Sequence, residues 1–170
     1  LARQGHQVVA SMRSLVKGED LRRLADAEGL DVELSELDVN DLASVEAALS
    51  DPLAFDVLVN NAGFEVEAAI EQVDDALMWQ QLDTNVLGPL RTMRAVLPAW
   101  KERGSGVIIN VSSIAGRVGA PYTGAYSASK FALEALSESL NFEVSQLGIR
   151  VHLIEPGRFT TSFGENKIRP

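Results

Sequence analysis

Short apolar runs alternate with longer segments of mixed hydrophobic and polar character along the whole chain. QVVASM over 7–12 has a strand pattern, and the charged stretch 19–27 has helical spacing. VELSEL over 32–37 alternates with period two, as a strand with one exposed face does. Asn40 and Asp41 offer capping oxygens to a helix over 42–49. FDVLV over 55–59 is a third strand, closed by Asn60, Asn61, Ala62 and Gly63. A long helix is predicted over 73–103 with Gly104 as its stop, followed by the strand VIINV over 107–111. A loop holding Gly116, Gly119 and Pro121 leads to a helix over 124–147, and IRVHLI over 149–154 is the last strand, ended by Pro156 and Gly157. The opening residues, Leu1 to Gly5, have the form of a helix's last turn with its glycine stop.

Strands separated by helices, with connections too long for hairpins, predict a parallel sheet covered on both faces. The fold expected is therefore α/β, a doubly wound parallel sheet of the Rossmann type, as one domain over 1–170. No internal repeat or linker interrupts it. In such folds ligands bind beyond the carboxyl ends of the strands. Each predicted strand ends in polar or glycine chemistry: Arg13, Asp38, the Asn60–Asn61–Ala62–Gly63 turn, Ser112 with Ser113, and Pro156 with Gly157.

Composition narrows the partners. The 170 residues hold 15 Lys and Arg against 24 Asp and Glu, a net charge of −9, which makes nucleic acid and anionic membrane poor partners. No apolar run approaches the roughly 18 residues of a transmembrane helix, so a cytoplasmic location is the expectation. The absence of cysteine excludes disulfides, thiolate metal sites and cysteine nucleophiles, and two histidines without metal-ligand spacing make a metal centre unexpected.

Tyr126 and Lys130 stand four apart near the start of the last helix, so both project from one face. An ammonium about 5 Å from a phenol, at an effective dielectric near 20, favours the phenolate by roughly 3 kcal/mol, or about 2 pKa units. Read alone, the spacing is common by chance, and an ordinary helix surface pair is the commoner reading. Ser113 ends the preceding strand thirteen positions earlier, close enough to set a hydroxyl beside the phenol, though a plain turn serine is the alternative. Asn60, Ala62 and Gly63 permit close approach of a flat ligand or tie neighbouring strands. Pro89 has no N–H to return to the carbonyl of Asn85, and Gly88 loosens the same turn, giving either a kink or a helix opened to hold a water. Arg13 with Met12 beside it suits a ribose 2′-phosphate, or is a surface arginine flanking a strand. Asp38 is either a capping group or an acceptor for an adenine amino group.

Together these residues resemble the short-chain dehydrogenase/reductase family, single-domain branch. The resemblance covers essentially the whole chain and rests on Asn60–Asn61–Ala62–Gly63, Asn85 in TNVLG, Ser113 in NVSSIAG, Tyr126 and Lys130 in YSASK, and Pro156–Gly157 followed by Thr161. The passage YSASKFALEALSESL is most similar to hydroxysteroid and retinol dehydrogenase-like members. The resemblance implies that Tyr126 is the general acid or base, that Lys130 lowers its pKa and holds the nicotinamide ribose, and that Ser113 hydrogen-bonds the substrate oxygen. It implies a proton relay through the carbonyl of Asn85 and a water. Asp38 and Val39 would meet the adenine, Asn60, Ala62 and Gly63 the middle of the cofactor, and Pro156, Gly157 and Thr161 its nicotinamide end. Arg13 implies NADP(H) over NAD(H).

The expected activity is reversible reduction of a ketone or aldehyde to an alcohol. A nucleotide-sugar epimerase or dehydratase and a catalytically silent dinucleotide-binding scaffold are the alternatives. The family's glycine-rich loop and its last strand are not in the sequence, so the chain is expected to be a fragment of a longer protein, with cofactor binding belonging to the whole. A small carbonyl or alcohol substrate and pairing into a homodimer or homotetramer through the helices over 73–103 and 124–147 complete the expectation.

Overall fold

Parallel strand pairing organises both parts of the computed structural model, which describes residues 1–157 and 162–170. The chain divides into two units, Leu1–Ser50 and Asp51–Pro170. In the first, β1 (Val8–Met12) runs parallel to β2 (Val32–Glu36), with Val8 opposite Val32 and Met12 opposite Glu36. A parallel pair needs a crossover, and α1 (Glu19–Glu28) supplies it. Gly29, in the left-handed region at φ 63°, ends that helix and returns its N–H to the carbonyls of Ala25 and Asp26. The short turn Ala2–Gln4 closes at Gly5 in the same way, at φ 86°. α2 (Leu42–Ala48) starts at Asp41, whose carboxylate accepts the N–H of Ala43.

The second unit is built on β3 (Val57–Asn60), β5 (Gly106–Val111) and β6 (Ile149–Ile154), all parallel, in the order β3–β5–β6. Between β3 and β5 the chain passes through β4 (Glu65–Val66), α3 (Asp75–Leu82) and α4 (Gly88–Arg103). Between β5 and β6 lies α5 (Gly124–Val144). β7 (Lys167–Ile168) pairs in parallel with β4. Trp100, Met93, Val96, Ile108, Leu133, Val144 and Ile149 form the fully buried apolar interior of this unit. Parallel strands with helical crossovers are the Rossmann-type doubly wound architecture that the alternating pattern predicts.

Two elements differ from expectation. The helix predicted over 73–103 is broken: α3 passes into a π-helical turn, Asp83–Leu87, before α4 begins. The N–H of Gly88 closes that turn on the carbonyl of Asp83, five residues back, and Pro89 has no N–H to restore the α-helical ladder. The helix predicted over 124–147 ends at Val144 and finishes in a 3-10 turn, Ser145–Leu147, stopped by Gly148 at φ 74°.

Gly106 opens β5 directly beneath the indole of Trp100, and a Cβ there would collide with the ring. The indole cannot retreat freely, because it is fully buried and its Nε1–H donates to the carbonyl of Pro52 at 2.9 Å. Gly106→Ala is predicted to lower unfolding stability by about 2 kcal/mol. A fall in the urea midpoint at unchanged slope checks this, and an unchanged midpoint contradicts it.

Candidate active site

The buried side of α5 carries polar groups among its apolar ones. Tyr126, Ser129, Lys130 and Ser137 are all buried, and each is held by a strand end or a neighbouring helix. Lys130, 5% exposed, donates from Nζ to the carbonyl of Val111 at 2.8 Å, which fixes α5 against the carboxyl end of β5. Two residues beyond Val111 stands Ser113. Its Oγ accepts the N–H of Ala115 at 3.1 Å, leaving its own hydrogen for the phenol of Tyr126, to which it is hydrogen-bonded. Lys130 Nζ also lies 5.7 Å from the centre of the Tyr126 ring. The three side chains expected to act together are therefore together.

Their electrostatics differ from the expected form. Burial is the largest influence on Tyr126 and raises its phenol above the ordinary value of 10.0. The Ser113 hydrogen bond lowers it, the Glu65 carboxylate raises it and Lys167 lowers it. Lys130 does not bring the phenol down as the through-space arithmetic predicted. Its ammonium lies over the ring face and is engaged by Val111, and burial pulls its own pKa down to about 8.

Asn85 is wholly buried in the π turn. Its Nδ2 donates to the carbonyl of Phe64 at 3.0 Å and to Ser129 Oγ at 3.1 Å, and its Oδ1 accepts the N–H of Phe64 at 3.2 Å. Gln81, one turn earlier and equally buried, donates to the same Phe64 carbonyl at 2.9 Å and accepts the N–H of Val66 at 2.7 Å. Two amides thus clamp the chain just after Gly63. A Cβ on Gly63 would come within 3.1 Å of Asn85 Oδ1 and 3.9 Å of Lys130 Nζ, so glycine keeps this cradle open.

Asn60 is committed to a web of side chains. Its Nδ2 donates to Asn110 Oδ1 at 2.8 Å across the β3–β5 pair, and Thr92 Oγ1 donates to its Oδ1 at 2.6 Å. Asn110 in turn donates to Ser137 Oγ at 2.8 Å. What Asn60 has left for a ligand is backbone, whereas Ala62 is exposed and Gly63 partly so. Pro156 stitches its loop to the serine loop, its carbonyl accepting the N–H of Ile114 at 3.0 Å, with Gly157 exposed beside it. Thr161 lies outside the described residues.

The remaining expected residues belong to the first unit. Arg13 is exposed after β1. Asp38 turns its Oδ1 to the N–H of Asn40 at 2.9 Å and gives its own N–H to Ser44 Oγ at 2.9 Å, an Asx turn leading to α2, whose cap is Asp41 and not Asp38. Val39 follows it, half-buried.

Gln81, Thr92, Asn110, Ser129 and Ser137 were not singled out from sequence. Gln81 and Asn85 do share a helical face at i, i+4, and Asn60 and Asn110 both end apolar strands, which is the only signal they give. Glu65, 8% exposed, was missed as well; Lys167 Nζ lies 3.1 Å from its Oε2 and 2.6 Å from Glu67 Oε2. Phe163 places its ring 6.1 Å from that of Tyr126, tilted by 52°. Among the described residues no cluster of His, Cys, Asp or Glu is arranged to hold a metal, and no helix is long and apolar enough to cross a membrane.

A parallel sheet whose strand ends gather a buried tyrosine and lysine and a half-buried serine has the doubly wound α/β form, in which ligands meet the carboxyl ends of the strands. A family model described as short chain dehydrogenase matches residues 1–169, and the chain belongs to that family. It is 42% identical over 160 residues to human retinol dehydrogenase 8, covering 93% of this chain and 51% of that protein. It is 44% identical over 124 residues to a 3-ketodihydrosphingosine reductase of Bacteroides thetaiotaomicron, covering 73% and 46%. Among solved structures, a short-chain dehydrogenase from Streptomyces avermitilis superposes with a TM-score of 0.86 at 39% identity, over 94% of this chain and 60% of that one. A gluconate 5-dehydrogenase from Burkholderia cenocepacia, in complex with NADP and tartrate, gives 0.88 at 28% identity, over 96% and 66%. The chain spans about half the length of the curated relatives it matches.

Burial makes Lys130 a source of pH-dependent stability. With the folded value near 8 and the ordinary value 10.5, the unfolded chain binds more protons between these limits, so stability rises with pH across that window. The gain is about 3 kcal/mol from pH 8 to above 10. Lys130→Met is predicted to remove this rise, read from urea unfolding at a series of pH values; a rise of equal size in the variant contradicts the assignment.

Proposed function

We propose that the protein containing this chain is an NADP(H)-dependent oxidoreductase that interconverts a ketone or aldehyde with an alcohol. The observation that carries this reading is the arrangement of half-buried Ser113 with buried Tyr126 and Lys130 at the carboxyl end of β5. The glycine cradle at Gly63, bounded by Asn85 and Lys130, fits the close approach of a flat dinucleotide. When bound, the nicotinamide supplies the hydride. Asn60, Ala62 and Gly63 would hold the cofactor through backbone, Lys130 the ribose hydroxyls, Asp38 and Val39 the adenine, and Pro156, Gly157 and Thr161 the carboxamide end.

Arg13, exposed and followed by no acidic side chain in its turn, suits a 2′-phosphate. Several structural neighbours are described with NADP, which supports the same preference.

The chain's own residues move the proton. Burial raises the phenol and so favours its protonated form, the form needed to give Oη–H to the oxygen of a carbonyl undergoing reduction. Ser113 Oγ hydrogen-bonds the same oxygen. The ammonium of Lys130 stands over the ring of Tyr126, and a relay through the carbonyl of Asn85 and a water returns the proton. In oxidation the steps run in reverse.

The substrate is a small molecule. The protein is cytoplasmic and forms a homodimer or homotetramer through the faces of the 73–103 and 124–147 segments, where Trp79, Phe131 and Phe142 are exposed. The whole chain, 1–170, functions within one domain.

In the full-length protein, Tyr126→Phe is predicted to reduce NADPH-dependent carbonyl reduction about 10³-fold while leaving NADPH binding intact. Equal turnover in the variant overturns the reading. Arg13→Glu is predicted to move the preference from NADPH toward NADH, measured as the ratio of kcat/KM values; an unchanged ratio removes Arg13 from the cofactor site.

A further inference from the structure

Beside the site lies a second buried polar group that the proposed proton transfer does not use. Glu134 is four residues after Lys130 on α5 and only 4% exposed. Side chains four apart on a helix share one face, so Glu134 and Lys130 stand one turn apart on the same side of α5. Both of its oxygens are fully buried and make no hydrogen bond, and the same is true of Ser112 Oγ. Gly116 closes the pocket: a Cβ there would come within 2.8 Å of Ser112 Oγ and 3.1 Å of Glu134 Oε1.

A buried carboxylate without hydrogen bonds requires opposite charge. Arg117 provides one such charge. Its Nη2 comes within 3.1 Å of Glu134 Oε2, at ion-pair distance but without hydrogen-bond geometry. Arg117 is nearly half exposed and is shared: it bonds Glu155 at 2.9 Å and Glu138 at 3.3 Å. Its guanidinium therefore compensates Glu134 only in part. The other cation that Glu134 acts on is Lys130.

We propose that Glu134, buried one helical turn beyond Lys130 and shared with Arg117, is a positioning residue that keeps the Lys130 ammonium charged within the apolar body of the unit. The proposal rests on the reading of Lys130 as part of the proton-transfer site only for its consequence in turnover; the electrostatic coupling itself is a property of the fold. Burial opposes the charge on Lys130 and Glu134 supports it. The groups that face this lysine are Tyr126 and Glu134 on its own helix and Val111 at the end of β5; through Glu134 they include Arg117, and through Arg117 they include Glu138 and Glu155. Glu65 and Lys167, from β4 and β7, act on the neighbouring Tyr126. A purely structural Glu134 would move none of the titrations below in a signed way.

The test is NMR titration of the full-length protein with 13Cε-labelled lysine, the Lys130 signal being assigned by its loss in Lys130→Met. Glu134→Gln, nearly isosteric, is expected to lower the midpoint of Lys130 by about one pH unit. Arg117→Gln removes the competing cation and is expected to shift it upward; because Arg117 is largely at the surface, this variant keeps the test open where Glu134→Gln fails to fold. An unmoved midpoint in a folded Glu134→Gln protein, or shifts of the same sign in both variants, overturns the proposal. The titration needs no substrate. Opposite shifts in a protein inactive toward every carbonyl tested would uphold the coupling and reject the oxidoreductase reading, whereas full activity with unmoved midpoints would do the reverse.

Discussion

A single hydrogen bond from a buried ammonium registers the candidate site. Lys130 Nζ on the carbonyl of Val111 joins the second turn of α5 to the last residue of β5. From that tie the other positions follow by geometry. Tyr126 is one helical turn earlier on the same face, and Ser113 is two residues further along the strand's exit, so the two hydroxyls meet. Two turns later, Ser137 repeats the device by accepting from Asn110 on the same strand. The helix that presents the chemistry is thus fixed to the central strand by polar contacts at two levels, with Leu133 and Leu140 packed between and beyond them.

Burying these groups is unfavourable unless each finds a partner. The structure meets this condition by dense sharing: Asn60 serves Thr92 and Asn110, and Asn85 serves Phe64 and Ser129. The π turn belongs to the same logic. By widening one turn of the helix between α3 and α4, it sets Asn85 and Gln81 against the chain leaving Gly63, where two amides hold a short extended segment. The loops after β5 and β6 are joined likewise, Ser112 N–H to Ile154 and Ile114 N–H to Pro156.

Much of this was legible in the sequence. The strands at 7–12, 32–37, 107–111 and 149–154 differ from the observed ones by a residue or so, because alternation and apolar runs directly encode burial. β4 and β7 were not legible: two-residue strands contain less than one period of any pattern. Pro89 and Gly88 announced a disturbed helix at Asn85, but the choice of a π turn over a kink depends on contacts with Phe64 and Ser129, which are remote in sequence. The sign of the Tyr126 shift was also out of reach. The spacing of Tyr126 and Lys130 gives a distance but neither the burial that dominates the phenol nor the carbonyl that engages the lysine. Gln81, Thr92 and Ser137 look like ordinary helix-surface residues until the strands they face are known.

The account depends on Lys130 as the registering contact, and the most direct measurement is the crystal structure of the Lys130→Met protein at full length. Without the bond to Val111, α5 is predicted to lose its register with the end of β5, and the hydroxyls of Ser113 and Tyr126 to separate beyond hydrogen-bonding distance while β3, β5 and β6 stay paired. The two hydroxyls still bonded in an otherwise unchanged α5 would show that some other contact sets the site, contradicting the account at its base.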